Sequence, residues 1–371
     1  MGIVDRVRER GPLTVAAFMD LALYDHELGY YARAVQRSGR TGDFFTSVDV
    51  GPLFGELLER QIAEMAAILG GSATTIEHVA LVEAGAGNGR LSADILRAAR
   101  RRDPDLLKRL RLHLVEASAT ARAAQRETLG DLAPFLATSG AALPESFEGV
   151  LLANELIDAM PVHQVAMTTA GLREIYVEAR GAGLEAVEGP LSTADIERYL
   201  ARAGADLQPG WRAEVNLHAV DWMRDAARRL RRGFMILIDY GHRAAELYSA
   251  SHAGGTLTTF SRHHEPSAIS HQPSPWLESP GERDLTAHVD FTTLQAVAEE
   301  EGMTTIGLLD QTYFLLGIAS GEPPDALAAA ARAFKTLVMP GGLGSTHKVL
   351  LLAKNAGAPA LRGCSYRVRM T

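Results

Sequence analysis

The chain has 371 residues, of which 47% are hydrophobic and 22% charged, and its formal net charge is −8 at pH 7. That balance fits a soluble globular protein with one large domain or two small ones, and it excludes a general affinity for nucleic acid or anionic membranes. The single Cys364 excludes an internal disulfide and a cysteine-based metal site, and no apolar run approaches the roughly 18 residues that span a bilayer. The first ten residues carry acids and no apolar core, so neither a secretory signal nor a transit peptide is evident and a cytoplasmic enzyme is expected.

Residues 14–24 read as a helix capped by Thr14, with Ala17, Phe18, Leu21 and Ala22 at helical spacing. Residues 24–31 turn into a short extended piece. The stretch 38–47 is polar and glycine-rich yet carries Phe44 and Phe45, a pair that serves either packing or a ligand. A long amphipathic helix follows over 51–69, with Leu53, Phe54, Leu57, Leu58, Ile62 and Met65 on one side.

Near residue 76 the pattern changes to strand, glycine turn, helix, the opening unit of a nucleotide-binding α/β fold. His78 to Val82 is the strand, and Glu83-x-Gly85-x-Gly87-x-Gly89 is the turn. A dinucleotide fingerprint would need glycine at position 90, which is Arg, and no phosphate-cradling lysine motif is present. An acid beside the turn repels a pyrophosphate and suits a ligand with a positive end, such as S-adenosylmethionine. A turn that merely reverses the chain, or a dinucleotide site, are the competing readings.

The second strand, 111–116, ends in Glu116, 27 residues past Gly89. An acid there accepts hydrogen bonds from ribose hydroxyls. It could equally be a helix-start acid beside Ser118, but Glu83 and the three glycines tilt the balance to ribose. A helix over 118–129, a short strand over 132–137 and a fourth strand over 149–153 follow. The fourth strand runs into Asn154-Glu-Leu-Ile-Asp-Ala-Met-Pro161, which puts Asn154 and Glu155 at the mouth of the site and Asp158 one helical turn on. These groups can orient a nucleophile for in-line attack on a methyl carbon. In the competing reading, Asn154 caps a short helix and the two acids complement its dipole.

Residues 162–167 and 172–177 alternate around a 168–171 turn, which predicts a β hairpin, followed by a helix over 192–203. A helix is expected over 211–231 and a fifth core strand over 233–241. The segment 242–290 reads as irregular, with four prolines and six histidines, and is expected to act as a lid or substrate loop. None of those histidines has the spacing of a zinc helix and no cysteine is near, so no metal is expected. A helix over 291–302, a strand over 304–309, helices over 311–319 and 325–337 and a strand over 347–353 complete the sheet. The domain plan is therefore an extension over 1–75, a core over 76–355 with insertions at 162–210 and 242–290, and a basic tail over 356–371.

The chain resembles the MidA-type methyltransferases (mitochondrial dysfunction protein A). The stretches that carry the resemblance include Gly29-Tyr-Tyr31, Thr41-Gly-Asp-Phe-Phe-Thr-Ser47, the Glu83 to Gly89 turn, the Asn154 to Pro161 segment, Asp239-Tyr-Gly241 and Asp284-Leu-Thr-Ala-His-Val-Asp-Phe291. They run in order over roughly 14–350, with a stretched region before Asp284. The resemblance implies an α/β, class I methyltransferase fold: a Rossmann-like, seven-stranded sheet with an N-terminal helical extension and an inserted β/loop substrate region. It implies S-adenosyl-L-methionine as cofactor, held by Glu83, Gly85, Gly87, Gly89 and Glu116 and covered by Gly42, Asp43, Phe44, Thr46 and Ser47. It places Asn154, Glu155 and Asp158 against the substrate. For the mitochondrial member it implies arginine methylation of a respiratory complex I subunit during assembly, hence a protein partner, with the oligomeric state left open and a homodimer included. The other readings are methylation of a small molecule or another protein side chain, a non-catalytic assembly platform, and a dinucleotide oxidoreductase.

Overall fold

The computed structural model describes residues 2–32, 46–71, 77–260, 274–320, 330–340 and 342–366. Gly42, Asp43 and Phe44 of the expected covering loop lie outside the described residues, as do His263, His264 and His271. The chain forms two compact units. One contains residues 46–156, 224–240 and 297–371; the other contains 1–45, 157–223 and 241–296. Residues 1–45 thus group with the two inserted stretches, and the long helix after them groups with the nucleotide-binding sheet.

The first unit is built on strands β1 (Val79–Ala84), β2 (Leu110–Val115), β3 (Leu136–Gly140), β4 (Phe147–Asn154), β5 (Leu230–His242), β6 (Thr304–Asp310) and β7 (His347–Lys354). Their order is β3-β2-β1-β4-β5-β7-β6. The first five run parallel, and β7 is antiparallel to both of its neighbours. This is the seven-stranded sheet implied by the resemblance. Every residue of β1 is buried, as expected of a parallel strand covered on both faces. Helix α1 (Leu53–Gly70) turns Phe54, Leu57, Leu58, Ile62 and Met65 into the core with no exposed surface, and α2 (Arg90–Arg102) and α3 (Ala119–Leu129) follow β1 and β2. Chain order reverses between β1 and β4, which opens a crevice at the carboxyl ends of these strands.

Two expectations fail in this unit. Residues 132–137 divide into a 3-10 turn, Gly130–Phe135, and the start of β3, because Pro134 has no N–H for a strand ladder. The segment after Asn154 is a turn and not a helix. Glu155 takes a left-handed conformation at φ +51°, and Pro161 disfavours helical backbone at the residue before it.

The second unit carries an antiparallel sheet. His163–Thr168 and Gly171–Arg180 form the expected hairpin, joined by Gly183–Gly189, Arg212–Val215 and the short Leu13–Thr14. Arg212–Val215 lies inside the expected 211–231 helix. The helix begins only at Leu217, after the Asn216 side chain accepts the Ala219 N–H at 2.8 Å. The helix Val15–Tyr24 is capped by Thr14 as expected. Its Phe18, Met19 and Leu23 pack with Tyr30, Ile175, Val177 and Trp276 in a separate apolar core. Within 242–290, Thr258–Phe260 pairs with Asp284–Thr286, and Val289–Asp290 adds in parallel to the last two residues of β5. The described part of this segment is therefore built structure, held by sheet pairing, and not a free lid.

Candidate active site

The glycine turn after β1 is held by backbone bonds to the neighbouring strand. The N–H groups of Gly85 and Ala86 donate to the Val115 carbonyl at 2.9 and 3.1 Å. Gly85, Gly87 and Gly89 have φ of +74°, +51° and +84°, a region that side-chain-bearing residues rarely adopt. An added Cβ at Gly85 would press on Leu156 at 3.1 Å, whereas at Gly87 it would point into open space. The exposed backbone at Gly87 is the face that a ligand can approach.

Glu116 leaves β2 directly opposite this turn. One of its carboxylate oxygens accepts the Gly87 N–H at 2.9 Å, and the other accepts the Ser118 N–H at 2.7 Å. The helix-start reading of this residue holds at Ser118, and the second oxygen braces the glycine turn. Each oxygen keeps a second lone pair, enough to receive the hydroxyls of a ribose. Gln125 fixes the turn from α3, donating to the Gly87 carbonyl at 2.9 Å while accepting from Ser139 at 2.6 Å.

Glu83 takes a position that its place in the sequence does not reveal. Its carboxyl is 4% exposed and faces α2, where Ser92 donates to it from both its backbone N–H and its hydroxyl. Burial pushes its pKa up to about 7, against the lowering effect of the Ser92 bonds. The expectation of a carboxylate turned to the positive end of a ligand gives way to an acid that locks the helix onto the strand. The turn is thereby positioned through one carboxyl oxygen, Oε2.

Of the covering segment, Thr46 and Ser47 are described. Asp49 accepts from the Thr46 N–H and hydroxyl at 3.1 and 3.0 Å, and Arg90 at the start of α2 pairs with the same carboxylate at 2.9 Å. Ser47 donates to Gln311 at 3.2 Å. These bonds anchor the end of the 41–47 segment at the helix behind the glycine turn. The Arg90–Asp49 pair was invisible to spacing, although position 90 had already drawn notice as the arginine where a dinucleotide site needs glycine.

The end of β4 holds the second group. Asn154 donates to Glu155 at 3.2 Å, while its Oδ1 is buried with no hydrogen-bond partner. Glu155 donates its N–H to the Ile238 carbonyl at 2.8 Å, and its carboxylate lies 3.5 Å from His347 Nε2. His347 is fully buried at the start of β7 and packs on Tyr240, with ring centroids 3.9 Å apart. Its Nδ1 lies 2.9 Å from the Leu343 carbonyl, which can only accept, so Nδ1 is the donor there, and Nε2 faces Glu155. Asp239, at the end of β5, receives the N–H groups of Leu156 and Tyr240 at 3.2 and 2.8 Å and fixes both strand ends. His347 and Tyr240 were missed as site residues. Asp158 belongs to the other unit, where its side chain is 8% exposed and its carbonyl accepts the Ala287 N–H at 3.0 Å.

The glycine turn, the braced Glu116 and the unpartnered Asn154 Oδ1 suit an adenosine-bearing ligand whose reactive end points at the tip of β4. Comparison with known proteins agrees. A family model described as "Putative S-adenosyl-L-methionine-dependent methyltransferase" matches residues 57–309. The chain is 30% identical over 342 residues to the Mus musculus protein named "Protein arginine methyltransferase NDUFAF7, mitochondrial", covering 84% of this chain and 71% of that one. To the Danio rerio protein of the same name it is 28% identical, covering 95% and 86%. A crystal structure from Burkholderia thailandensis with S-adenosyl-homocysteine bound superposes with a TM-score of 0.85 at 31% identity, covering 99% of this chain and 95% of that chain. The relatives' names overturn the expectation of a cytoplasmic enzyme. It rested on an acid-bearing start and the lack of an apolar span, features that organelle proteins share.

Proposed function

The chain belongs to this family of S-adenosyl-L-methionine-dependent methyltransferases, and from that premise we propose that it methylates an arginine side chain of a protein partner, such as a respiratory complex I subunit. The observation that carries this reading is the Glu155 carboxylate, which accepts from Asn154 Nδ2 at 3.2 Å, next to an Asn154 Oδ1 with no hydrogen-bond partner at the tip of β4. Two acceptors side by side suit a guanidinium, which presents a planar fork of donors and no acceptor. The cofactor, when bound, supplies an electrophilic methyl group. Gly87 and Glu116 would hold its adenosine end, with Thr46 and Ser47 at the margin.

Glu155 orients the guanidinium so that one nitrogen lone pair faces the methyl carbon, and its carboxylate receives the proton which that nitrogen loses on methylation. The Nε2 of His347 stands next in line, 3.5 Å from that carboxylate. Its buried ring, fixed by the Leu343 carbonyl and Tyr240, holds that nitrogen in place. The mitochondrial relatives carry protein arginine methyltransferase in their names, which supports the same acceptor.

The test is labelled-methyl transfer to complex I subunits and to arginine peptides, with wild-type protein and Glu155→Gln. Loss of transfer in the variant, with S-adenosyl-homocysteine binding retained by calorimetry, supports the assignment. Transfer to small molecules alone, or undiminished protein methylation by Glu155→Gln, refutes it.

A further inference from the structure

Three histidines in the second unit converge from three separate segments. His242 ends β5, His252 closes the 3-10 turn Ala250–His252, and His288 precedes the strand Val289–Asp290. Their ring centroids lie 4.7, 5.1 and 5.9 Å apart, and one nitrogen from each ring lies within 4.8 Å of the other two. All three are partly buried. Donor nitrogens on a tetrahedral ion stand roughly 3.3 Å apart, given metal–nitrogen distances of ~2.0–2.1 Å. The three nitrogens exceed that spacing by at most about 1.5 Å.

The surroundings orient the rings as ligands. His252 Nδ1 lies 3.0 Å from the Glu246 carbonyl, which can only accept, so its Nε2 carries the lone pair. His242 Nδ1 lies 3.0 Å from the Glu246 carboxylate. Glu246 thus approaches two of the rings, once through its backbone and once through its side chain. Carboxylate and carbonyl partners play this part behind metal-bound histidines. His288 Nδ1 is buried and has no hydrogen-bond partner.

We propose that His242, His252 and His288 bind a divalent transition-metal ion of the zinc class, with Glu246 as the residue that orients two of the three ligands. Imidazole nitrogens suit zinc, cobalt, nickel and copper and select against magnesium and calcium. Three protein ligands leave one position for water. The ion clamps the end of β5 to the 250–252 turn and to the segment entering Val289. The site is independent of methyl transfer. No sequence spacing could announce it, because the ligands lie on different segments, 10 and 36 residues apart.

The experiment uses the untagged full-length protein, stripped with chelator and titrated with Co²⁺ and Zn²⁺. The expected result is about one equivalent of Co²⁺ with the visible absorption of a tetrahedral site, displaced by Zn²⁺. His252→Gln abolishes that spectrum, and Glu246→Gln weakens binding about tenfold or more. His26→Ala, outside the cluster, changes neither. An octahedral or absent cobalt spectrum, or a spectrum unaltered in folded His252→Gln, overturns the proposal. Should His288→Ala fail to fold, His252→Gln still decides.

Discussion

Individual carboxylates divide the labour of the methyl-transfer site. Glu116 is the one whose loss should be felt in binding. Glu116→Ala removes two charge-assisted backbone bonds, each worth about 1.5–3 kcal/mol, and with them the acceptors proposed for the ribose. Calorimetric titration with S-adenosyl-homocysteine should show affinity weakened at least tenfold. Glu155→Gln should leave that affinity intact and lower kcat/KM for an arginine acceptor by about a hundredfold. His347→Gln offers a finer check. It keeps the volume of the buried ring roughly intact but loses the ring nitrogen beside Glu155, so kcat for an arginine acceptor should fall while S-adenosyl-homocysteine affinity holds. Of these residues, the positions of Glu116, Asn154 and Glu155 at the ends of apolar strands were legible, because an apolar run that stops at a polar residue marks a strand end in an open α/β sheet. His347 was not, because it meets Glu155 only through the antiparallel register of β7, nearly two hundred residues further on. Glu83 was legible as a polar residue at a strand end but not in its direction, since Ser92 claims it from the helix.

Elements carry their own consequences. The Glu83–Ser92 link joins β1 to α2 through a carboxyl whose folded pKa of about 7 exceeds its ordinary value. The folded state then binds the proton more tightly than the unfolded chain does. Stability from this group is fully present below about pH 4.5 and is lost as pH rises through about 7, by on the order of 3 kcal/mol. Urea unfolding at pH 5 and pH 8 should show that fall, and Glu83→Gln should flatten it. A wild-type stability that rises between those pH values, with the variant parallel to it, would remove the assignment. In α1, Phe54 has no exposed surface, and Phe54→Ala should cost about 3–5 kcal/mol. The periodicity of α1 announced this element well, because one apolar face repeated over five turns. Short strands were harder. Gly183–Gly189 and Arg212–Val215 sit at the border of a sheet where acids, glycines and alternating residues mimic loop and helix, and only pairing with a neighbour defines them.

Across the whole molecule the two units should respond to different ligands. At a hundredfold excess over its Kd, S-adenosyl-homocysteine stabilises the protein that binds it by about 2.7 kcal/mol. Hydrogen exchange should then slow in 77–156, around the glycine turn and the tip of β4, while Zn²⁺ should slow it in 241–260 and 284–296. Protection by either ligand spread evenly over both units would contradict this division. The sheet that unites the first unit also sets limits on its own variation. Gly149 on β4 and Gly233 on β5 are register partners, at φ +150° and +147°, and Ala80 on β1 completes the row. A methyl group at Gly149 would reach 2.0 Å from the Ala80 carbonyl oxygen, and one at Gly233 would reach 1.9 Å from that of Gly149. In a library carrying every substitution at every position, these two sites should be as depleted of survivors as Glu155. Neither lies at the tip of a strand, so a map of intolerance drawn without the fold would place a third catalytic focus in the middle of a wall.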